Sequence, residues 1–249
     1  MYDSKSVHIP AMNVLYVGVL SLLGDEMLKT PLVVVNFKTY PESTGERALK
    51  LAKLIEEVSS DYGVNSAVCP QQVDIYRTAR EVKIPVLAQH VDPISPGKNT
   101  GWVSPDSVKA AGAVGTLLNH AEHKIPLEQI KKTLELLRLL GLTTIVCTAD
   151  VEESKKAAVL GPEIIAVEPP ELIGSGVSVS KAKPEVVSGS VEAIKKVNPK
   201  VEVLCGAGIT TGDDIAKAIE LGTRGVLLAS GVVCAKNQRA AIEDIVKGI

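Results

Sequence analysis

The sequence predicts a single α/β domain in which eight parallel strands and their helices close into a (β/α)8 barrel. From Leu32 onward, short apolar runs alternate with stretches of helical periodicity. The apolar runs are continuous rather than interrupted by polar residues, as in strands that are buried on both faces. A doubly wound sheet would show the same alternation, but eight evenly spaced units without a long insertion or a Pro/Ser-rich linker favour the barrel.

Eight runs rich in β-branched and aliphatic residues are the predicted strands. They are "LVVVNF" (32–37), "NSAVC" (65–69), "PVLAQ" (85–89), "GTLLN" (115–119), "TTIVC" (143–147), "IIAVE" (164–168), "VEVLC" (201–205) and "GVLLA" (225–229). Helical patterns lie between them, and several begin with Pro or Asp and end with Gly, which are common helix boundaries. The clearest are "ERALKLAKLIEEVSS", "PLEQIKKTLELLRLLG", "VEESKKAAVLG", "SVEAIKKV" and "GDDIAKAIELG".

The composition argues against several classes of partner. The chain has 249 residues, a formal net charge of −2 and 3% aromatic residues, which gives no general affinity for nucleic acid or for an anionic membrane. Its cysteines, Cys69, Cys147, Cys205 and Cys234, show no CxxC spacing, so we expect reduced thiols in a cytoplasmic protein. No metal-binding cluster and no flavin, nicotinamide or P-loop motif is visible, and neither a metal nor a cofactor is expected.

The N-terminal stretch differs from the rest of the chain. "AMNVLYVGVLSLL" (11–23) is apolar but shorter than the roughly 20 residues that cross a bilayer, and no small-x-small cleavage site follows it. We therefore expect residues 1–26 to be an extension outside the fold, with Met27 as the biological start, and residues 27–249 to be the barrel domain.

The segment "AVEPPELIGSGVSVS" (166–180) contains the sharpest chemical signal. Glu168 ends an apolar strand, where a carboxylate is costly unless it is paired, solvated or used. The prolines at 169–170 stiffen the chain after it, whereas 174–176, Gly-Ser-Gly, can act as a hinge. Leu172 and Ile173 lie between these two parts, as in a lid that closes over a ligand. The pattern predicts a catalytic base followed by a hinged lid; a proline-rich turn with a salt-bridged glutamate is the alternative.

Two other strand ends provide candidate polar groups. Lys38 follows the first strand and could face the barrel mouth as a cation, although a solvated loop lysine would look the same in the sequence. Asn36 could hydrogen-bond the backbone, hold Lys38 or contact a substrate. His120 follows the fourth strand; it could be structural, or a neutral imidazole that polarises a carbonyl group.

The last two strands end in small residues, in "CGAGITTGDD" and "LLASGVV". Without bulky side chains, backbone amides can approach an anion, and barrels often bind phosphate at these two loops. Gly208, Ala229 and Ser230 are therefore candidate phosphate ligands, although Gly and Ser also simply fit tight turns.

Together these groups suggest proton abstraction next to a carbonyl group on a small phosphorylated substrate. A general base contributes about 10²–10⁴-fold to a rate, so the enediolate charge needs stabilisation as well, from His120 and Lys38. An aldolase, which would need a Schiff-base lysine inside the barrel, and a non-catalytic barrel are the alternatives.

From about residue 27 to its C-terminus, the chain closely resembles the triosephosphate isomerase family, in particular its shorter archaeal type. The resemblance rests on "VVVNFKTY", "AQHVDPISPGKNTGWVSP", "GAVGTLLNHAEH", "AVEPPELIGSG", "CGAGIT" and "LLASG", in the family's order. It implies a TIM barrel that interconverts dihydroxyacetone phosphate and D-glyceraldehyde 3-phosphate, in glycolysis and gluconeogenesis. The residues to which it assigns roles are Glu168 as base, His120 as neutral electrophile, Asn36 and Lys38 as substrate contacts, and Ile173, Gly208, Ala229 and Ser230 as phosphate ligands.

The resemblance also implies self-association. The loop "GKNTGWVSP", with Thr100 near its tip, resembles the family's interlocking loop, so an obligate homotetramer, or a dimer, is expected. Ala121 departs from the family, which usually has Ser after the catalytic histidine.

Overall fold

The computed structural model describes residues 28–172 and 178–249. The extension expected at residues 1–26 and the lid residue Ile173 lie outside the described residues, so both expectations stay predictions. The described part forms one α/β barrel.

All eight predicted strands are present and parallel. Their bounds are β1 Leu32–Asn36, β2 Asn65–Cys69, β3 Leu87–Ala88, β4 Gly115–Leu118, β5 Thr143–Thr148, β6 Ile164–Val167, β7 Glu202–Cys205 and β8 Gly225–Leu228. The sheet runs β2-β1-β8-β7-β6-β5-β4-β3, and a parallel bridge between Val68 and Val86 closes it into a barrel. The predicted (β/α)8 fold is confirmed.

The third strand is shorter than predicted, covering 87–88 instead of 85–89. Pro85 has no N–H for the ladder. At the other end, the side chain of Gln89 replaces ladder bonds, since its Nε2 donates to Cys69 O at 3.0 Å and to Lys38 O at 2.9 Å. Gln89 thus ties the ends of β1, β2 and β3 together beside the barrel mouth.

Ten helices lie among the described residues. They are α1 Glu46–Tyr62, α2 Gln72–Glu81, α3 Pro105–Ala110, α4 Leu127–Leu140, α5 Val151–Leu160, α6 Val179–Ala182, α7 Pro184–Val197, α8 Gly212–Glu220, α9 Ser230–Val233 and α10 Gln238–Val246. Left-handed glycines, Gly63, Gly141 and Gly161, end three of them. The sequence pattern predicted the ends at Gly141 and Gly161, whereas the first helix continues past its predicted end at Ser60. Helix α7 begins six residues earlier than its predicted segment, because Pro184 already occupies its first turn.

The strands bury both faces, as their continuous apolar runs predicted. One set of side chains, including Leu32 and Val34 of β1 and Ile164 and Ala166 of β6, packs inside the barrel. The alternate set packs against the helices. Since successive strand residues point to opposite faces, Asn36 and Glu168 continue the inward-pointing set at the C-terminal ends of β1 and β6. Apolar side chains fill the barrel interior, and Asn36 and Glu168 follow them at its mouth.

Candidate active site

Glu168 and His120 face each other at the mouth of the barrel. Nε2 of His120 lies 3.7 Å from Oε1 of Glu168, and the two residues are 7% and 3% exposed. They come from the ends of β4 and β6, which are not neighbours along the chain. An acid and an imidazole this close together can act on neighbouring atoms of one small molecule, the acid on a carbon-bound proton and the imidazole on the adjacent oxygen.

Burial sets the protonation of Glu168. The absence of water around the carboxyl group raises its pKa to about 7, and the neighbouring Cys147 thiol and the charge of Lys38 offset only part of this effect. Among the described residues, Oε2 of Glu168 has no hydrogen-bond partner. A carboxylate that is desolvated, and that titrates near neutral pH, is suited to accept a proton from carbon.

Gly206 makes room for this carboxylate. A Cβ atom at position 206 would lie 2.3 Å from Cγ of Glu168, closer than carbon atoms can pack. The amide of Gly206 also donates to Val167 O at 2.9 Å, which fixes the end of β7 beside the end of β6. The sequence analysis noted Gly206 only as part of a small-residue loop and missed its contact with the base, because spacing along the chain does not show which strand ends touch.

His120 is neutral and its tautomer is set by the backbone. Nδ1 accepts a hydrogen bond from the amide of Glu122 at 3.2 Å, so the ring proton resides on Nε2, the atom that faces Glu168. Burial and the nearby charge of Lys38 lower the pKa of His120 to about 4. A neutral imidazole that presents an N–H is a hydrogen-bond donor for a carbonyl oxygen.

Asn119 aims His120 at the mouth. Its φ of 59° lies in the left-handed region, which Asn tolerates better than most residues and which turns the chain sharply after β4. Its side-chain amide donates to Cys147 O at 2.8 Å and to Glu153 Oε1 at 2.9 Å, while its Oδ1 accepts from Ile125 N at 3.1 Å. The sequence analysis gave Asn119 no role; its position directly before a strand-end histidine was the available signal.

Lys38 lies at the mouth, held on two sides. Its backbone, at φ 46°, is fixed by a bond from its amide to Asn36 Oδ1 at 2.9 Å. Its Nζ pairs with Glu122 Oε1 at 2.7 Å. The second of the roles considered for Asn36, holding Lys38, is therefore present in the structure. Lys38 is mostly buried, and Glu122 directs its ammonium group.

The polar groups line one cleft with the small-residue loops. Its walls include Asn36, Lys38, His120 and Glu168 together with Gly208, Ala229 and Ser230. The space among these walls, with its open mouth counted, is about 440 Å³. Within the described residues, the amides of Gly208 and Ser230 donate to no protein acceptor, so both are available to an anion.

The two loops pack tightly against each other. A Cβ at Gly231 would lie 2.8 Å from Ile209 O and 3.0 Å from Thr210 Cα. The close approach explains why the predicted phosphate loops carry small residues: the backbone of one loop rests on the other. The cleft therefore brings together all the predicted site residues except Ile173, which lies outside the described residues.

The described residues contain no cluster of His, Cys, Asp and Glu side chains suited to a metal ion. None of the helices in that part of the chain is long and apolar enough to span a membrane.

Comparisons with known proteins agree with this architecture. The family model described as "Triosephosphate isomerase" matches residues 31–248. The triosephosphate isomerase of Methanobacterium bryantii is 55% identical over 90% of this chain and 100% of its own length. That of Methanothermus fervidus is 56% identical over 87% and 97%, and that of Methanocaldococcus jannaschii 51% identical over 88% and 100%. With nearly the whole described chain matched by the family model, and archaeal relatives matched over almost their full length, the chain belongs to the triosephosphate isomerase family.

Proposed function

We propose that this protein interconverts dihydroxyacetone phosphate and D-glyceraldehyde 3-phosphate, with Glu168 as the base. The observation that carries the proposal is the buried Glu168 lying 3.7 Å from a neutral His120, in a cleft that is also lined by Gly208 and Ser230, whose amides donate to no acceptor among the described residues. Family membership and the names of the archaeal relatives support the same reaction.

Glu168 performs the proton transfers. Its carboxylate removes a proton from C1 of dihydroxyacetone phosphate, and the C1–H electron pair forms the C1–C2 double bond of an enediolate. The same carboxyl group returns the proton to C2 while the proton of the C1 hydroxyl is transferred to the C2 oxygen, which yields the aldehyde at C1 and a hydroxyl at C2. A pKa of about 7 leaves a substantial ionised fraction at neutral pH while keeping the group basic enough to accept a proton.

His120 and Lys38 stabilise the charge that develops on oxygen. The Nε2–H of His120 donates to the substrate carbonyl, whose oxygen becomes negative in the enediolate. Lys38 adds a full positive charge at the same side of the cleft, positioned by Glu122. Asn36 contributes by fixing the backbone of Lys38 and by lining the cleft beside the substrate.

The phosphate group is assigned to the loops that follow β7 and β8. The amides of Gly208 and Ser230, which have no acceptor among the described residues, and Ala229, between the end of β8 and α9, supply donors that need no side-chain charge. Ile173, the family's lid contact to phosphate, is part of the proposal through the family resemblance alone.

We also propose that the protein acts in glycolysis and gluconeogenesis in the cytoplasm, and that it self-associates as a homotetramer, or a dimer, through the loop around Thr100. This loop is exposed at Thr100 and holds Trp102 58% exposed, an apolar surface that a second subunit would cover. Its base is stiffened by Asp92, whose Oδ2 accepts from Val103 N at 2.8 Å. The oligomer is tested by light scattering on wild type and Trp102→Glu; a monomeric wild type would contradict it.

The reaction is tested by a coupled assay with glyceraldehyde 3-phosphate on wild type, Glu168→Asp and Glu168→Gln. Wild type is expected to isomerise, and Glu168→Asp to lose much of the rate while folded, because its carboxylate is one methylene shorter. Near-normal turnover by either variant would refute Glu168 as the base. The described strands contain no lysine that could form the Schiff base of an aldolase. A folded wild type without isomerase activity would favour the non-catalytic barrel.

A further inference from the structure

The loop between β7 and α8 is held by one buried side chain, Asp214. Its Oδ2 accepts three hydrogen bonds from this loop: from the amide and the hydroxyl of Thr210, at 3.0 and 3.2 Å, and from the amide of Thr211, at 3.0 Å. Asp214 is 3% exposed. One carboxylate oxygen thus fixes the two residues that follow Gly208 and Ile209.

The other side of Asp214 is bound to α6, which comes from the preceding strand–helix unit. Nζ of Lys181 lies 2.8 Å from Oδ1, and Oγ of Ser180 donates to the backbone oxygen of Asp214 at 3.0 Å. Ser180 in turn contacts Ser178 Oγ at 2.7 Å. The loop after β7 and the helix after β6 are therefore joined at two points through a single residue.

Helix capping explains only part of this arrangement. A capping box requires the reciprocal bonds between Thr211 and Asp214, which are present. It does not require the two bonds to Thr210, a residue that lines the same cleft as Glu168 and Ser230. Since Thr210 Cα would lie 3.0 Å from a Cβ at Gly231, the position of residue 210 also limits the position of the loop that carries Ser230.

We propose that Asp214 is a positioning residue for phosphate recognition, which holds the Gly208 loop against the Ser230 loop, and that Lys181 compensates its buried charge. The inference rests on the proposed function, because it takes the amides of these two loops as the phosphate site. Although burial raises the pKa of Asp214, the bonds from Lys181, Thr210 and Thr211 more than offset this, and the pKa lies below its ordinary value. The carboxylate is therefore ionised at neutral pH, and without Lys181 it would be an uncompensated negative charge behind the phosphate-facing wall.

The test measures the affinity of 2-phosphoglycolate and of inorganic phosphate by calorimetry, and KM and kcat, for wild type and variants. Asp214→Asn keeps the shape of the side chain but removes its negative charge. The oxygen that accepts three hydrogen bonds becomes a weaker, neutral acceptor, and an NH2 group replaces the oxygen that faces Lys181. We expect both dissociation constants and KM to rise about tenfold, with a smaller change in kcat. Lys181→Met, at an exposed position, is expected to weaken both ligands about threefold, and Lys181→Arg to restore wild-type affinity.

Two matched controls separate positioning from stability. Thr211→Val breaks the hydroxyl half of the capping box, which accepts from Asp214 N at 3.3 Å, but leaves the bonds to Thr210. It should lower the melting temperature without changing phosphate affinity. Lys217→Met removes a lysine of the same surface that pairs with Glu220 and should change neither quantity.

The outcomes distinguish this inference from the proposed function. Folded Asp214→Asn and Lys181→Met with wild-type affinity for both ligands would overturn the positioning role. So would a Thr211→Val variant that weakens phosphate as much as Asp214→Asn, since a helix cap would then suffice. A wild type that binds 2-phosphoglycolate but does not isomerise refutes the proposed function, and the affinity ratios still decide the role of Asp214. A wild type that binds neither ligand overturns both.

Discussion

Glu168 and Asp214 are both carboxylates that are 3% exposed at the same end of the barrel, yet their surroundings are opposite. Asp214 receives three donors on one oxygen and Lys181 on the other. Within the described chain, Glu168 Oε2 has no hydrogen-bond partner, and Oε1 lies 3.7 Å from His120 Nε2. The pKa of Asp214 is lowered and that of Glu168 is raised to about 7.

The difference is the one expected between a structural acid and the proposed base. The donors around Asp214 satisfy its charge and lock a loop, so its ionisation is stabilised by folding. The desolvation of Glu168 is left largely uncompensated, which raises the basicity of the carboxylate at the expense of stability. Substitutions of the two acids, and of the residues that position the groups around Glu168, test this comparison.

The largest expected effect is on turnover after Glu168→Gln. The amide has nearly the same shape but cannot accept the proton, so kcat should fall about 10³-fold. The coupled assay measures the loss, and circular dichroism checks the fold. Asp214→Asn, the same change at the compensated acid, should retain most of kcat; a comparable loss in both variants would break the contrast.

The second effect is on stability as a function of pH. The pKa of Glu168 is about 7 in the folded state and about 4.5 in the unfolded chain, so the folded state binds the proton more tightly. Stability from this group is complete below about pH 4.5 and is lost as pH rises through 7, by about 3 kcal/mol. Glu168→Gln removes this loss, and urea unfolding of wild type and variant from about pH 4.5 to about pH 8 measures it.

Asp214 provides the opposite sign when the same urea unfolding series is extended to acid pH, below the ordinary Asp pKa of 3.8. Because its folded pKa is lowered, its contribution is present above the ordinary Asp pKa and disappears as pH falls through the folded value. Asp214→Asn should therefore flatten only the acid side of the stability curve. If both variants changed the same side, the assignment of opposite electrostatic environments would be wrong.

Gly206→Ala tests the space that Glu168 needs. The new methyl group would lie 2.3 Å from Glu168 Cγ and push the carboxylate out of place, so kcat/KM should fall about 10²-fold. Gly189→Ala on α7 is the control, since its Cβ would lie 3.4 Å from a Val151 methyl group. Equal activity in the two variants would show that the position of Glu168 is not set by Gly206.

The smallest effect is expected at Asn119, which aims the imidazole at Glu168. Asn119→Ala loses the hydrogen bonds to Cys147 O, Glu153 and Ile125. It also leaves alanine at φ 59° without the bonds that hold this strained backbone, so kcat should fall about tenfold. Asn119→Gly accepts the backbone angle but lacks the bonds. An intermediate kcat for Gly would sharpen the account by separating the two contributions, whereas wild-type kcat in both variants would contradict it.

The fold was largely predictable because its signals are local. Continuous apolar runs identified all eight strands, and Gly and Pro marked several helix ends. Only the length of β3 was clearly overestimated. The strand is shortened at Pro85, which lacks an N–H, and at Gln89, whose side chain bonds to the ends of neighbouring strands, a contact that depends on packing. For the site, an ionisable residue near the end of an apolar strand was the signal for Glu168, His120 and Lys38, and the structure places these three around one cleft.

The burial pattern along the chain was sufficient to predict the barrel, the approximate ends of its strands and the short set of polar residues available at the mouth. Only the tertiary structure decided which of these residues meet: that Gly206 makes room for Glu168, that Asn119 turns His120 toward it, and that Asp214 holds the Gly208 loop from α8. The reason is physical. Propensity and periodicity act over a few residues, whereas the pKa of an acid depends on groups brought to it from distant strands, about which spacing in the chain carries no information.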